Sequence, residues 1–247
     1  MLVLAYAALG AAIGSFLNVC IDRLPRGASV VTPPSSCDAC GRRLTALELI
    51  PVISYLALRG RCRTCGKPIS PRSPIVELGT ASLFGLTWLR FGPSLQTLLV
   101  SAYACYLVVT LVIDLEHHRI LNKLTYPAIA IALFAAPFVP ERSLLQTLGG
   151  GAIGFGVLLL IAIVYPGGMG MGDVKLGAFI GLAVGLPGIL LALYLSFVLG
   201  GVISGLLWLA RIVGRRDPIA FGPFLAMGAL ATLLYGDPLL RWWAGRG

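Results

Sequence analysis

Two short cysteine motifs in the first third of the chain are typical of a metal site. Cys37-Asp-Ala-Cys40-Gly and Cys62-Arg-Thr-Cys65-Gly are both CxxC motifs followed by a glycine, and 21 residues separate them. Each motif can place two thiolates on one turn, and the glycine lets the chain fold back around a metal. Because four thiolates suit a tetrahedral ion, the spacing predicts a structural zinc site formed by Cys37, Cys40, Cys62 and Cys65.

The alternative interpretations of these cysteines are a pair of disulfides or a redox CxxC site. Stable disulfides are rare in the cytoplasm, where the segment is expected to lie. A thioredoxin-like site would need one pair in a βαβ context, whereas the sequence has two matched pairs. The remaining cysteines, Cys20 and Cys105, lie in apolar runs and are expected to be small buried hydrophobic residues.

Two aspartates lie next to apolar runs and could do acid–base chemistry. Asp114 follows a run that ends at Ile113, and Asp173 follows Gly170-Met171-Gly172. Two carboxylates in a partly dry site cannot both ionise cheaply, so one holds a proton while the other acts as a base. An aspartic protease activates water and protonates its leaving amine in this way. We therefore predict Asp114 and Asp173 as a catalytic pair.

The glycines before Asp173 add to this interpretation. Gly170 and Gly172 would let the backbone approach a substrate strand, or let the helix end unwind. Each acid also has simpler explanations. Either could be a helix-end residue in the headgroup region or part of a proton path, and Asp173 would be favourable at a helix N-terminus.

Three further titratable residues have no chemistry that the sequence identifies. His117 and His118 could belong to a metal site or act as a base, but polar loop residues are the expected interpretation. Glu77 lies in an apolar run, where it could pair with a cation or contact substrate. The sequence does not distinguish these roles for Glu77.

The elements that position these residues are membrane helices. The chain has 247 residues, of which 57% are hydrophobic and 12% charged, and its mean hydropathy is +0.91. A soluble fold could not cover so much apolar surface, and disorder is excluded for the same reason. We predict an all-α polytopic membrane protein with about eight transmembrane helices. The predicted spans are 2–21, 75–92, 94–113, 124–140, 144–165, 174–186, 188–210 and 219–236. The sixth span runs into Pro187, so the sequence does not fix its end.

Charge predicts the orientation of these spans. The loops 22–74, 114–123, 166–175 and 211–218 hold 15 Lys and Arg residues, and the opposite loops with the C-terminal tail hold 4. Basic loops face the cytoplasm, so both termini are expected outside and the two aspartates inside. The net charge of +9 is explained in this way without a nucleic-acid partner.

Three segments follow from this topology. Residues 1–21 form the first span, 22–74 a cytoplasmic zinc-binding loop, and 75–247 the membrane core with the protease site. The first apolar run is interpreted as a span rather than a cleavable signal peptide. A loop as short as 22–74 cannot build a core of its own, so bound metal is expected to fold it.

Several motifs together resemble the bacterial type IV prepilin peptidase family over nearly the whole chain. Besides the cysteine motifs, they are Gly14-Ser-Phe-Leu-Asn-Val19, Asp114-Leu-Glu-His-His-Arg-Ile120, Gly168-Met-Gly-Met-Gly-Asp-Val-Lys-Leu176 and Phe221-Gly-Pro-Phe-Leu225. The third of these is the most specific. Leu121, Ala220 and Ser73 depart from the pattern of the family, and none of them removes a catalytic group.

The resemblance implies an aspartic endopeptidase of the bacterial inner membrane whose active site faces the cytoplasm. Such enzymes remove the basic leader of prepilins and type II secretion pseudopilins. The catalytic positions correspond to Asp114 and Asp173, and Gly170, Gly172 and Lys175 to the supporting loop. Many members also methylate the new N-terminus with S-adenosylmethionine, but no motif for that cofactor is visible, so its binding residues stay unknown.

Two other classes of membrane protein compete with this interpretation. A proton-coupled transporter would use the two acids to carry protons and would cleave nothing. A non-catalytic assembly protein would use the zinc loop to bind a partner, and replacing its acids would be silent. The expected partners are the prepilin substrates and the lipid bilayer; the sequence does not give an oligomeric state.

Overall fold

The described part of the chain consists of helices joined by loops, with two isolated β-bridges in the cysteine loop. The computed structural model describes residues 1–139, 142–212, 214, 219–243 and 245. Arg215, Arg216 and Arg246, which contribute to the charge bias of the loops, lie outside these residues, as does the end of the fourth predicted span at Pro140. The helices are α1 (Leu2–Arg23), α2 (Ile53–Ala57), α3 (Arg72–Phe91), α4 (Leu95–His117), α5 (Asn122–Ala135), α6 (Leu144–Val164), α7 (Met171–Val184), α8 (Gly188–Leu209) and α9 (Gly222–Trp243).

The prediction of a polytopic helical membrane protein is confirmed. Among the described residues, α1, α4, α6, α8 and α9 are long and apolar enough to cross a membrane. Helices also lie at the other three predicted spans, but these are less suited to cross alone. α3 carries Arg72, Glu77 and Arg90, and α5 and α7 have only 14 residues each. The structure therefore supports a multi-pass protein, and the number of eight spans stays a prediction.

The chain forms two compact units, Met1–Val109 and Thr110–Gly247, with α4 shared between them. In the first unit α1 packs closely along α3. This close approach needs small residues, since a Cβ added at Gly10 or Gly14 would come within 3.0 Å of the Phe84 side chain or the Glu77 backbone. The loop between these helices carries the four cysteines.

In the second unit α6 and α7 pack with their backbones in contact. A side chain at Gly154 would overlap the carbonyl oxygen of Gly177, and one at Gly181 would overlap that of Gly150. These glycines form small-xxx-small pairs, which allow helices to approach closely in lipid. α7 also packs against α5 and α9. α7, whose first turn carries Asp173, is therefore packed against α5, α6, α8 and α9.

Candidate active site and metal site

The four cysteines of the two motifs converge on one point. Their Sγ atoms all lie within 4.8 Å of one another, and those of Cys37 and Cys65 are 3.8 Å apart. Four sulfurs around a zinc ion at about 2.3 Å are separated by about 3.8 Å, so the cluster has the size of a tetrahedral thiolate site. All six cysteines of the chain are free thiols. The cluster can therefore hold a metal ion, and the disulfide alternative finds no support.

Each motif forms a tight hairpin. In the first, the N–H of Cys37 donates to the carbonyl of Arg42 at 2.9 Å, and in the second the N–H of Cys62 donates to that of Lys67 at 2.8 Å. The chain reverses at Gly41 and Gly66, whose φ angles are +68° and +70°. Since residues with a Cβ rarely adopt this left-handed conformation, glycine is the residue the turn requires.

The hairpins also prepare the thiols for a cation. The backbone N–H groups of Cys65 and Thr64 lower the pKa of the Cys62 thiol to about 6, and those of Cys40 and Ala39 lower the pKa of Cys37. Cys65 differs: the N–H of Lys67 lowers its pKa, but hydrogen bonding with the neighbouring thiols and burial raise it to about 11. A bound cation would stabilise all four thiolates together.

An ion pair between the first hairpin and the 3₁₀ turn that follows it was not predicted from the sequence. Arg42 donates to Glu48, and this contact, followed by the N–H and hydroxyl of Thr45, lowers the pKa of the Glu48 carboxyl to about 2. These contacts fix the 3₁₀ turn Ala46–Leu49, whose N-cap is Thr45. The sequence signal that could have indicated this turn is the spacing of Thr45 and Glu48, which is that of a capping box.

Asp114 lies on the last turn of α4 and is 5% exposed. Its carboxylate accepts the backbone N–H of Gly222, the first residue of α9. Gly222 lies so close to these side chains that an added Cβ would be 2.5 Å from Oδ2 of Asp114 and 3.2 Å from Cδ1 of Ile120. The start of α9 therefore fixes the orientation of the Asp114 carboxylate.

Asp173 is the third residue of α7. Its Oδ2 accepts the N–H of Gly170 at 3.2 Å, while Oδ1 is buried and has no hydrogen-bond partner among the described residues. The carboxylate interacts electrostatically with Asp114. Ile120 packs against Gly172 as well as Gly222, so one side chain spaces the starts of α7 and α9. The structure thus places the two predicted acids close enough to interact, and one carboxylate oxygen of Asp173 is buried without a hydrogen-bond partner among the described residues.

The other residues singled out in the sequence take supporting or separate places. Lys175 donates to Oδ1 of Asn122 at 3.0 Å and lies 5.1 Å from the centre of the Tyr126 ring, so it holds α7 against α5. His117 and His118 join no metal-ligand cluster within the described part of the chain. Glu77 lies on α3 of the first unit.

Two family models and several curated proteins match this chain. Residues 8–91 match the model of the bacterial peptidase A24 N-terminal domain, and residues 101–205 match that of the type IV leader peptidase family. Three similar proteins are each named prepilin leader peptidase/N-methyltransferase. The one from Bacillus subtilis is 34% identical over 95% of this chain and 94% of its own length, the one from Pseudomonas aeruginosa 33% over 97% and 92%, and the one from Aeromonas hydrophila 35% over 94% and 90%. No solved structure matches the chain. With two acids that interact electrostatically, a four-thiol cluster and relatives of this similarity over its length, the chain belongs to the type IV leader peptidase family.

Proposed function

We propose that this protein is a membrane aspartic endopeptidase that removes the basic leader of type IV prepilins and type II secretion pseudopilins. The observation that carries the proposal is the buried Oδ1 of Asp173, which has no partner among the described residues and belongs to a carboxylate that interacts with Asp114. A buried acceptor without a donor is costly, so a water or a substrate group is expected to complete it. The three relatives described above, which this chain covers over at least 90% of their length, are each named prepilin leader peptidase/N-methyltransferase.

The mechanism follows from two carboxyl groups that share one proton. The ionised carboxylate accepts a proton from the bound water as the water oxygen forms a bond to the scissile carbonyl carbon. When the C–N bond breaks, the protonated carboxyl delivers its proton to the leaving nitrogen. The N–H of Gly222 holds Asp114 and that of Gly170 holds Asp173, so both carboxylates are oriented before the substrate binds.

We propose a cytoplasmic active site with both termini external. The charge bias of the loops supports this orientation, which has 1–21 as the first span, 22–74 as the cysteine loop and 75–247 as the membrane core. With eight spans, a reporter fused after Gly66 reads as cytoplasmic and one after Trp243 as external. If both reporters read on the same side, the number of spans is wrong by an odd number.

The cysteine cluster is proposed to hold one structural zinc ion through Cys37, Cys40, Cys62 and Cys65. Its size and the lowered pKa values of two thiols fit that ion. We also propose that the protein methylates the new N-terminal amine, as the names of its relatives indicate. S-adenosylmethionine would supply the methyl group.

The test is cleavage of a prepilin-like substrate by the purified protein in lipid nanodiscs. Mass spectrometry should find loss of the leader, and a mass increase of one methylene on the mature product when S-adenosylmethionine is added. A transporter or a non-catalytic assembly protein would leave the substrate intact. Intact substrate with a folded, zinc-loaded protein would therefore refute the proposal.

A further inference from the structure

Residues 46–58 of the cysteine loop are apolar wherever they are exposed. They include the 3₁₀ turn Ala46–Leu49 and the short helix α2. The exposed members are all apolar and are Ala46, Leu47, Leu49, Ile50, Ile53, Leu56 and Ala57. Of the large side chains among them, Leu47, Ile53 and Leu56 are 66–70% exposed. A patch of this kind marks a contact with another protein or with a membrane.

The polar side chains of this segment lie on its inner side. Glu48 is its only charged residue, and the Glu48 side chain is 6% exposed and paired with Arg42. Ser54 and Tyr55 line an internal cavity between the segment, α1 and α3. The segment therefore combines a polar inner side with an apolar outer side, which is the pattern of chain that lies in a membrane interface.

Contacts between α1 and α3 define the depth of this part of the protein in the membrane. Arg72, the first residue of α3, pairs with Asp22 near the end of α1 at 2.7 Å, so charged groups mark one level on both helices. Further along, a Cβ added at Gly14 would lie 2.9 Å from Cα of Glu77. Gly14 precedes Asp22 by eight residues, or about 12 Å of helix, and α1 is able to cross a membrane. Glu77 therefore lies beside the apolar part of α1.

Val52 joins the segment to α3 below the charged level. Its N–H donates to Oε2 of Glu77 at 2.7 Å, and its φ of 60°, unusual for a β-branched residue, belongs to this turn. A side chain on a helix points back towards the helix N-terminus, so Val52 lies between the levels of Glu77 and Arg72. The start of α2 is thus at the depth typical of interfacial helices, about 5–10 Å.

The backbone of the segment also suits a lipid environment. In a bilayer each N–H group needs a partner within the protein. The N–H groups of Ser54, Leu56 and Leu58 donate to carbonyls of the same segment at 2.9–3.2 Å, and Pro51 has no N–H group. Together with the bond from Val52 to Glu77, these contacts satisfy the turn that leads into α2.

Three arginines after the segment distinguish between its possible partners. Arg59, Arg61 and Arg63 are exposed, and none of them forms an ion pair with a described residue. Basic side chains beside an apolar interfacial segment attract anionic lipid headgroups. The same charges would repel the basic leader of the proposed substrate. Charge complementarity therefore favours lipid over the substrate as the partner of this surface.

We infer that residues 46–58 form a re-entrant segment in the membrane interface beside α3. Leu47, Ile53 and Leu56 contact lipid acyl chains, and the three arginines contact the phosphates of anionic lipids. Apolar runs of about 10–14 residues are too short to span a bilayer, so the chain returns to the side from which it came. This placement requires only that α1 crosses a membrane, and it is independent of the proposed cleavage and methyl transfer.

Photo-cross-linking to lipid tests the placement in the full-length protein. p-Benzoylphenylalanine replaces Leu56 or, in a second variant, Ile53, and the protein is irradiated in nanodiscs of phosphatidylethanolamine and phosphatidylglycerol. The positive control is the same replacement of Tyr194, which is 64% exposed on α8, a helix able to cross a membrane. The negative control is Thr64, an exposed residue of the second cysteine motif. The melting temperature verifies that each variant is folded.

Mass spectrometry should find lipid adducts at Leu56 and Ile53 in yields comparable to that at Tyr194, and few at Thr64. Yields at both positions as low as that at Thr64, while Tyr194 forms its adducts, overturn the placement. An adduct with a second copy or with an added prepilin-like substrate in place of lipid also overturns it, because the surface is then a protein interface.

A second measurement tests the arginines. Phosphatidylglycerol should exceed its share of the nanodisc by at least about twofold among the adducts at Leu56, since one basic residue at a membrane surface contributes up to roughly fivefold. Combining Arg59→Gln, Arg61→Gln and Arg63→Gln should return this share to the bulk value and leave the share at Tyr194 unchanged. An unchanged share at Leu56 in the folded triple variant overturns the headgroup contact.

Discussion

Replacing Gly222 with alanine should damage cleavage without removing any functional group. The new Cβ would lie 2.5 Å from Oδ2 of Asp114, whereas ordinary contacts begin at about 3.4 Å. The carboxylate or the start of α9 must therefore move by close to 0.9 Å. A misplacement of about 1 Å in a catalytic group costs on the order of 10²-fold in rate, which corresponds to about 2.7 kcal/mol in the activation free energy.

The assay is single-turnover cleavage of a prepilin-like substrate in nanodiscs, with Gly201→Ala as the matched control. Gly201 lies on α8, where an added Cβ meets nothing within 4 Å, so that variant should cleave at the wild-type rate. Methyl transfer to a synthetic pre-cleaved pilin should be unchanged in both variants, which separates a local effect from unfolding. If Gly222→Ala cleaves within twofold of the wild type, the start of α9 does not hold Asp114 in its working position.

Three further changes test other parts of the molecule. Asp114→Asn and Asp173→Asn should each abolish detectable cleavage and leave the protein inserted, and the double variant should be little worse than either single one because the acids act as a unit. Changing both Cys37 and Cys40 to serine should lower the zinc content below the roughly one ion per chain expected for the wild type, as measured by atomic absorption. The same variant should have a loop that is more sensitive to proteolysis. Gly181→Ala should lower the melting temperature through overpacking of roughly 1–3 kcal/mol, because its Cβ would overlap the α6 backbone.

Each of these tests has an outcome that contradicts it. Near wild-type cleavage by either asparagine variant would remove that residue from the mechanism, and full zinc in the serine variant would discard the four-cysteine site. For α6 and α7, Gly205→Ala is the control because open space surrounds Gly205. Equal melting temperatures for Gly181→Ala and Gly205→Ala would mean that the two helices do not touch as described.

The helices and the cysteine cluster could be predicted because their signals are local. Apolar length gave a helix at each predicted span, and the CxxC-Gly pattern requires a turn that only a few conformations allow. Hydropathy could not decide whether the 14-residue helices α5 and α7 cross the membrane, since their neighbours rather than their own length determine this.

The contacts that orient the two acids could not be predicted from the sequence, because they depend on packing between segments that are distant in the chain. Gly222 was part of a recognised motif, yet nothing in the sequence indicated that its N–H would hold Asp114. In the same way, Ile120 was visible only as the last residue of an acidic segment, and its position between the starts of α7 and α9 follows from the fold. The contact between Val52 and Glu77 likewise joins residues 25 positions apart through a backbone conformation that no propensity favours.

The glycine contacts between α6 and α7 determine which parts of the second unit can move when a substrate helix enters. No side chain separates these two backbones at Gly150 and Gly181, so no change of rotamer can let one helix slide past the other. We therefore expect the two helices to move together, with Asp173 on the first turn of α7. If the site opens for a substrate, we therefore expect the movement where the start of α9 meets Asp114 at the end of α4. The contact that orients Asp114 would then also be the one that opens.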